Sequence, residues 1–65
     1  MRILVNGDWR DTAAQLLSAV LEELGYGQSV VTTAVNGEFV ATSVRPCTQL
    51  AEGDRIEVLA PMQGG

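Results

Sequence analysis

Three groups of residues in this chain of 65 have the types and spacing to do chemistry. The first is the terminal Gly64-Gly65. A C-terminal carboxylate is an anion at neutral pH, and it becomes an electrophile only once activated, for instance as an acyl-adenylate. Two residues without Cβ atoms make that end thin enough to thread a narrow channel into a partner's nucleotide site. A Gly-Gly end is also what an inert tail looks like, because short motifs match by chance. The second group is Cys47. Only Arg45 stands near it in sequence, with no histidine or lysine to activate it, so the expected role is a small apolar filler. The third is Glu52 and Asp54 around Gly53. A calcium loop needs more oxygen ligands than this stretch provides, so an acidic turn is expected.

Composition narrows the field further. The chain carries eight acidic and four basic side chains, a net charge of −4, no histidine and one cysteine. That removes the commonest general base and every Ser/His/Asp or Cys/His arrangement. It also leaves no soft ligand set for a structural zinc. The acidic balance argues against a nucleic-acid or anionic membrane partner, and Met1 to Gly7 is too short an apolar run for a signal peptide or a membrane span. A single cysteine fits a reducing, cytoplasmic setting. The length allows one domain, and a chain this small buries only about 60% of the surface its unfolded form exposes. All four basic residues are arginine, so no lysine side chain is available to attack an activated acyl group.

The chemistry-bearing residues need elements to position them. Asn6-Gly7 is a hairpin signal, because both central positions of a type I′ turn need positive φ. It predicts strands over about residues 2–6 and 8–12, with Trp9 pinned across the hairpin. Thr12 and Gln15 stand in capping-box spacing, ahead of Leu16, Leu17, Val20, Leu21 and Leu24 at helical spacing. Gly25 supplies the left-handed residue that ends the helix. Ser29 to Val35 reads as a strand, closed by a second Asn-Gly at Asn36-Gly37, with Glu38 to Ala41 leading away. Val44 to Cys47 reads as a loop or very short edge strand, since Pro46 cannot donate to a ladder. Arg55 to Leu59 is the last strand, with Ile56 and Val58 on its buried face, and Pro61 ends it. The first and last strands are expected to be neighbours at the sheet centre. The fold class is therefore α+β: one mixed sheet of four to five short strands covered by one main helix. Residues 1–60 form the domain, and residues 61–65 form a flexible C-terminal tail.

The whole chain resembles the ThiS family, the ubiquitin-like sulfur carriers of thiamin thiazole synthesis. The resemblance rests on length, on the Met1-to-Gly7 opening, on the stretch from Leu50 to Val58, and on Gly64-Gly65. Val35-Asn36-Gly37-Glu38 is similar to the family's third strand and turn. The resemblance implies a β-grasp fold and a Gly65 carboxylate that an E1-like (ThiF-like) adenylyltransferase activates, with Gly64 as the slender approach. It further implies conversion to a thiocarboxylate by a persulfide sulfur donor and delivery of the sulfur to a thiazole synthase (ThiG-like). The chain would then be a protein co-substrate rather than an enzyme. It would bind no cofactor itself, with ATP and magnesium held by the activating partner. Pro61-Met62-Gln63 departs from the family's commonest tail, and a relative serving another pathway could differ there too. The alternatives are a MoaD-like carrier for molybdopterin and a ubiquitin-like binding module with an inert tail.

Strand alternation also suggests a docking spot. If Ile56 and Val58 face the helix, Leu59 faces away, and by the same rule Leu4 faces away while Ile3 and Val5 go inward. Adjacent first and last strands would make Leu4 and Leu59, with Met62 beyond them, a small apolar patch beside acidic residues. A transient partner with a basic rim would fit it.

Overall fold

A computed structural model describes residues 1–60. The expectations placed on Pro61, Met62, Gly64 and Gly65 lie outside the described residues. Five strands and one α-helix occur in the order β1 (Arg2–Val5), β2 (Asp8–Asp11), α1 (Leu17–Glu23), β3 (Thr32–Val35), β4 (Glu38–Val40), a 3₁₀ segment (Thr42–Cys47) and β5 (Arg55–Leu59). They form one sheet in the spatial order β2-β1-β5-β3-β4. β5 pairs parallel with β1 and antiparallel with β3, so the last strand lies at the centre and the first beside it. β2 and β4 are the outer strands, each joined to its neighbour by a turn whose asparagine has positive φ, Asn6 at 49° and Asn36 at 51°. This is the mixed, five-stranded form of the β-grasp sheet.

Alternation along the strands decides which face is dry. Ile3, Val5, Ile56 and Val58 point to one side and are buried, as strand geometry requires. Helix α1 lies on that side and contributes Leu17, Val20 and Leu21, while Val31 and Leu50 close the ends of the core. Gly25, at φ +91°, ends the helix as expected. The Gly25 N–H bonds to the Glu22 carbonyl at 3.1 Å and the Tyr26 N–H to the Leu21 carbonyl at 2.8 Å, a Schellman closure.

Four expectations are corrected. The helix starts at Leu17, not beside a capping box, and no side chain caps it. The Gln15 carbonyl instead accepts from the Leu50 N–H at 2.7 Å, and the Leu17 N–H donates to the Thr48 carbonyl at 2.9 Å. A first turn whose backbone is committed to the 48–50 segment cannot also be helical. Thr12 Oγ1 accepts from the Ala14 N–H at 3.0 Å and donates to Glu23 at 2.5 Å. It ties the incoming loop to the end of the helix.

The second correction concerns residues 42–47, which form a 3₁₀ segment rather than a loop or edge strand. Its anchor is Arg45, 8% exposed, whose Nε donates to Thr33 Oγ1 at 3.0 Å and whose Nη2 donates to the Val31 carbonyl at 2.5 Å. Its guanidinium fastens the segment to β3, and each bond carries the added strength of a charged donor. Third, Cys47 is exposed and fills no core space. The third strand is also shorter than its β-prone stretch, at Thr32–Val35, and Gly27 to Ser29 are taken up by a turn and a bend.

Candidate functional site

The helix covers one face of the sheet and leaves the other open. Register places the outward residues side by side: Leu4 opposite Trp9 on β2 and Arg55 on β5, Glu57 opposite Ala34, and Leu59 opposite Thr32. Phe39 stands opposite Ala34 on the outer strand β4. Several of these side chains are large and apolar yet wet, with Phe39 70%, Leu59 66% and Trp9 53% exposed. Trp9 and Phe39 stand on the two outer strands, at opposite edges of the sheet, with Leu59 on the central strand between them.

Leu4 lies beside Arg55, and Leu59 lies four residues further along β5, beside Thr32. Both leucines line one shallow hollow of about 250 Å³ on the open face, together with Arg55, Glu57 and Asn6-Gly7. The hollow thus combines two leucines with two opposite charges. Leu4 is half-buried and Leu59 is well exposed. Met62, the third residue of the expected patch, lies outside the described residues. Trp9 does cross the hairpin to Leu4, and the Arg2 guanidinium sits 5.3 Å from its ring centroid, within cation–π range. Phe39 was missed by reading the sequence alone. The alternation of Glu38-Phe39-Val40 opposite β3 is the signal that would have found it.

The acidic turn before β5 has a structural job. Glu52 accepts from the Arg2 N–H at 3.1 Å, and Asp54 accepts from the Ala51 N–H at 2.8 Å and from Asn36 Nδ2 at 3.0 Å. Both carboxylates serve as acceptors that fix where β5 begins. Among the described residues, no group of three or more His, Cys, Asp or Glu side chains is arranged to hold a metal ion. No helix among them is long and apolar enough to cross a membrane.

Comparison with known proteins agrees along the whole chain. The model of the ThiS family matches residues 3–65. Sulfur carrier protein ThiS of Thermus thermophilus is 36% identical over 63 residues, which is 97% of this chain and 98% of the relative. The crystal structure of the thiamine biosynthesis protein ThiS from Geobacter metallireducens superposes with a TM-score of 0.84 at 29% identity, covering all of both chains. A solution structure of a thiamine biosynthesis protein from the same organism gives a TM-score of 0.79 at 32% identity, over all of this chain and 88% of the other.

Proposed function

The chain belongs to the ThiS family, and from that premise we propose that its Gly65 carboxylate is the group that carries the sulfur. The protein is a sulfur carrier of thiamine biosynthesis, a carrier rather than a catalyst. The observation that carries the finer reading is the family match running through residue 65, over a body whose central strand β5 leads directly to that end.

The chemistry starts from the carboxylate. It is a poor electrophile until one of its oxygens attacks the α-phosphorus of ATP and expels pyrophosphate. The acyl-adenylate then reacts with the outer sulfur of a persulfide donor, and AMP leaves. A thiol cleaves the resulting acyl disulfide, which leaves a thiocarboxylate on Gly65 and a disulfide on the donor. The thiocarboxylate sulfur is then delivered to a thiazole synthase. Gly64 and Gly65 offer no Cβ to obstruct entry into the adenylating site. An E1-like adenylyltransferase holds the ATP and magnesium and supplies the catalytic groups. The test is carrier-dependent exchange of pyrophosphate into ATP by that enzyme. Exchange that requires the carrier supports the reading, and its absence with a demonstrably active enzyme sinks it.

The open face is the docking surface of this reading, with Leu4, Leu59 and Met62 as its apolar contacts. Leu59→Ala should weaken binding to the adenylyltransferase about fivefold or more, as apolar anchors at interfaces do. Because Leu59 is exposed, stability should shift by no more than about 0.5 kcal/mol. Unchanged affinity by calorimetric titration would remove Leu59 from the interface.

A further inference from the structure

Each of the two hairpin turns sends its asparagine side chain sideways to β5, and they grip it at opposite ends. Asn36 holds the start. Its Oδ1 accepts from the Arg55 N–H at 3.0 Å, and its Nδ2 donates to Asp54 at 3.0 Å. Asn6 holds the finish. Its Oδ1 accepts from the Val58 N–H at 2.8 Å, and its Nδ2 donates to the Val58 carbonyl at 3.0 Å. A primary amide offers one acceptor and two donors, so at Val58 it takes the place of a neighbouring strand's peptide.

The substitution is needed because β1 stops short. Its pairing with β5 runs only through Leu4↔Arg55 and Val5↔Ile56, and the Asn6 N–H adds a bond to the Ile56 carbonyl at 2.9 Å. There the chain turns away at Asn6-Gly7. On the β3 side, pairing continues through Thr33↔Val58 and Thr32↔Leu59. Without the Asn6 amide, the end of β5 would be held on one side only.

We propose that Asn6 is a positioning residue for the reaction at the chain end, fixing the point from which residues 59–65 set out. The inference rests on the reading that Gly65 is adenylated. With the clamp closed, β5 is held on both sides as far as Val58. The reach of the chain beyond Val58 is then counted from that residue, at no more than about 3.3–3.6 Å per residue. With it open, the end of the strand frays, and the carboxylate is aligned on the α-phosphorus in a smaller fraction of docked complexes. A loss of alignment after docking lowers turnover and leaves binding alone. In the step itself, a Gly65 oxygen bonds to the α-phosphorus, the bond to the bridging oxygen breaks, and pyrophosphate leaves with the electron pair. Asn6 touches none of these atoms and acts only through β5.

The fold supplies its own control. Glycine accepts the positive φ of either turn, so Asn6→Gly and Asn36→Gly each remove one side-chain clamp without straining the backbone. The measurement is carrier-dependent ATP–pyrophosphate exchange by the E1-like adenylyltransferase, with kcat and KM for the carrier separated, alongside amide hydrogen exchange at Val58. Asn6→Gly should lower kcat about three- to tenfold with KM within about twofold, and it should speed amide exchange at Val58. Asn36→Gly should leave kcat and KM within about twofold of wild type. Equal losses in both variants would mean a general loss of stability and would overturn the proposal. So would normal kcat in Asn6→Gly when Val58 exchange shows the clamp open. A wild-type carrier that supports no exchange would instead overturn the adenylation reading on which the proposal rests.

Discussion

Replacing Gly65 by leucine should abolish adenylation, with a loss of at least about a hundredfold, while the unfolding curve stays where it was. The two halves of this result have separate causes. The core of the described residues spans Ile3 to Val58, and replacing Gly65 leaves every one of its side chains in place. Changes away from such features usually fall within about 0.5 kcal/mol. On the proposed reading, the carboxylate must reach an α-phosphorus inside the adenylyltransferase, and a passage that has to admit only glycine there can be narrow. A branched side chain next to the reacting carbon would then meet the wall of that passage, and displacement of a reacting group by about 1 Å alone costs on the order of a hundredfold. Thermal melting and pyrophosphate exchange on the same preparation separate the two effects. Wild-type exchange with the leucine variant would show that the passage does not select by size.

Leu17→Ala should have the opposite signature, costing stability first and function only as a consequence. Leu17 is fully buried at the start of α1, directly beneath the sheet. Truncating such a leucine costs about 2–5 kcal/mol, depending on how far the surroundings collapse into the space. Domains in general have only about 5–15 kcal/mol in total, with the smallest near the lower end. The variant is therefore expected to lose a large share of its stability and to be partly unfolded at physiological temperature. Leu16→Ala is the matched control. Leu16 is 39% exposed and meets the 48–50 segment through a backbone bridge to Gln49, which alanine can also make. Its cost should stay near or below about 1 kcal/mol. Urea unfolding followed by far-UV circular dichroism distinguishes them, and equal costs for the neighbouring pair would mean that the helix packs in another register.

This contrast shows where sequence reasoning reached its limit. Leu16 and Leu17 both fit a helical apolar stripe, and only the tertiary use of the Gln15 and Leu17 backbone by residues 48–50 decides that the helix starts between them. Capping-box spacing at Thr12 and Gln15 carried a local meaning that a distant strand-like contact overrode. Signals that are complete within a few residues were legible: the Asn-Gly turns, the Gly25 stop, and the alternation that buries Ile56 and Val58 and exposes Leu59. Longer-range roles were not. Arg45 looks like a surface cation until Thr33 on β3 and the Val31 carbonyl just before that strand supply its acceptors. Asn6 looks like a turn residue chosen for positive φ, and its second role at Val58 spans 52 positions of sequence. Side chains that substitute for a missing strand leave no periodicity to read. The open face was half legible. Leu4 and Leu59 followed from alternation once β1 and β5 were neighbours, whereas Phe39 needed the register of β4 on β3.

The central claim is that Gly65 becomes a thiocarboxylate, and the intact mass of the chain tests it directly. The carrier would be incubated with the E1-like adenylyltransferase, ATP, magnesium and a persulfide donor with a thiol reductant, then measured whole and after cleavage. The account predicts a gain equal to exchanging one oxygen for sulfur, carried by the C-terminal peptide and absent when ATP is omitted. An unchanged mass with an enzyme shown to be active, or a sulfur gain located at Cys47 instead, would contradict it.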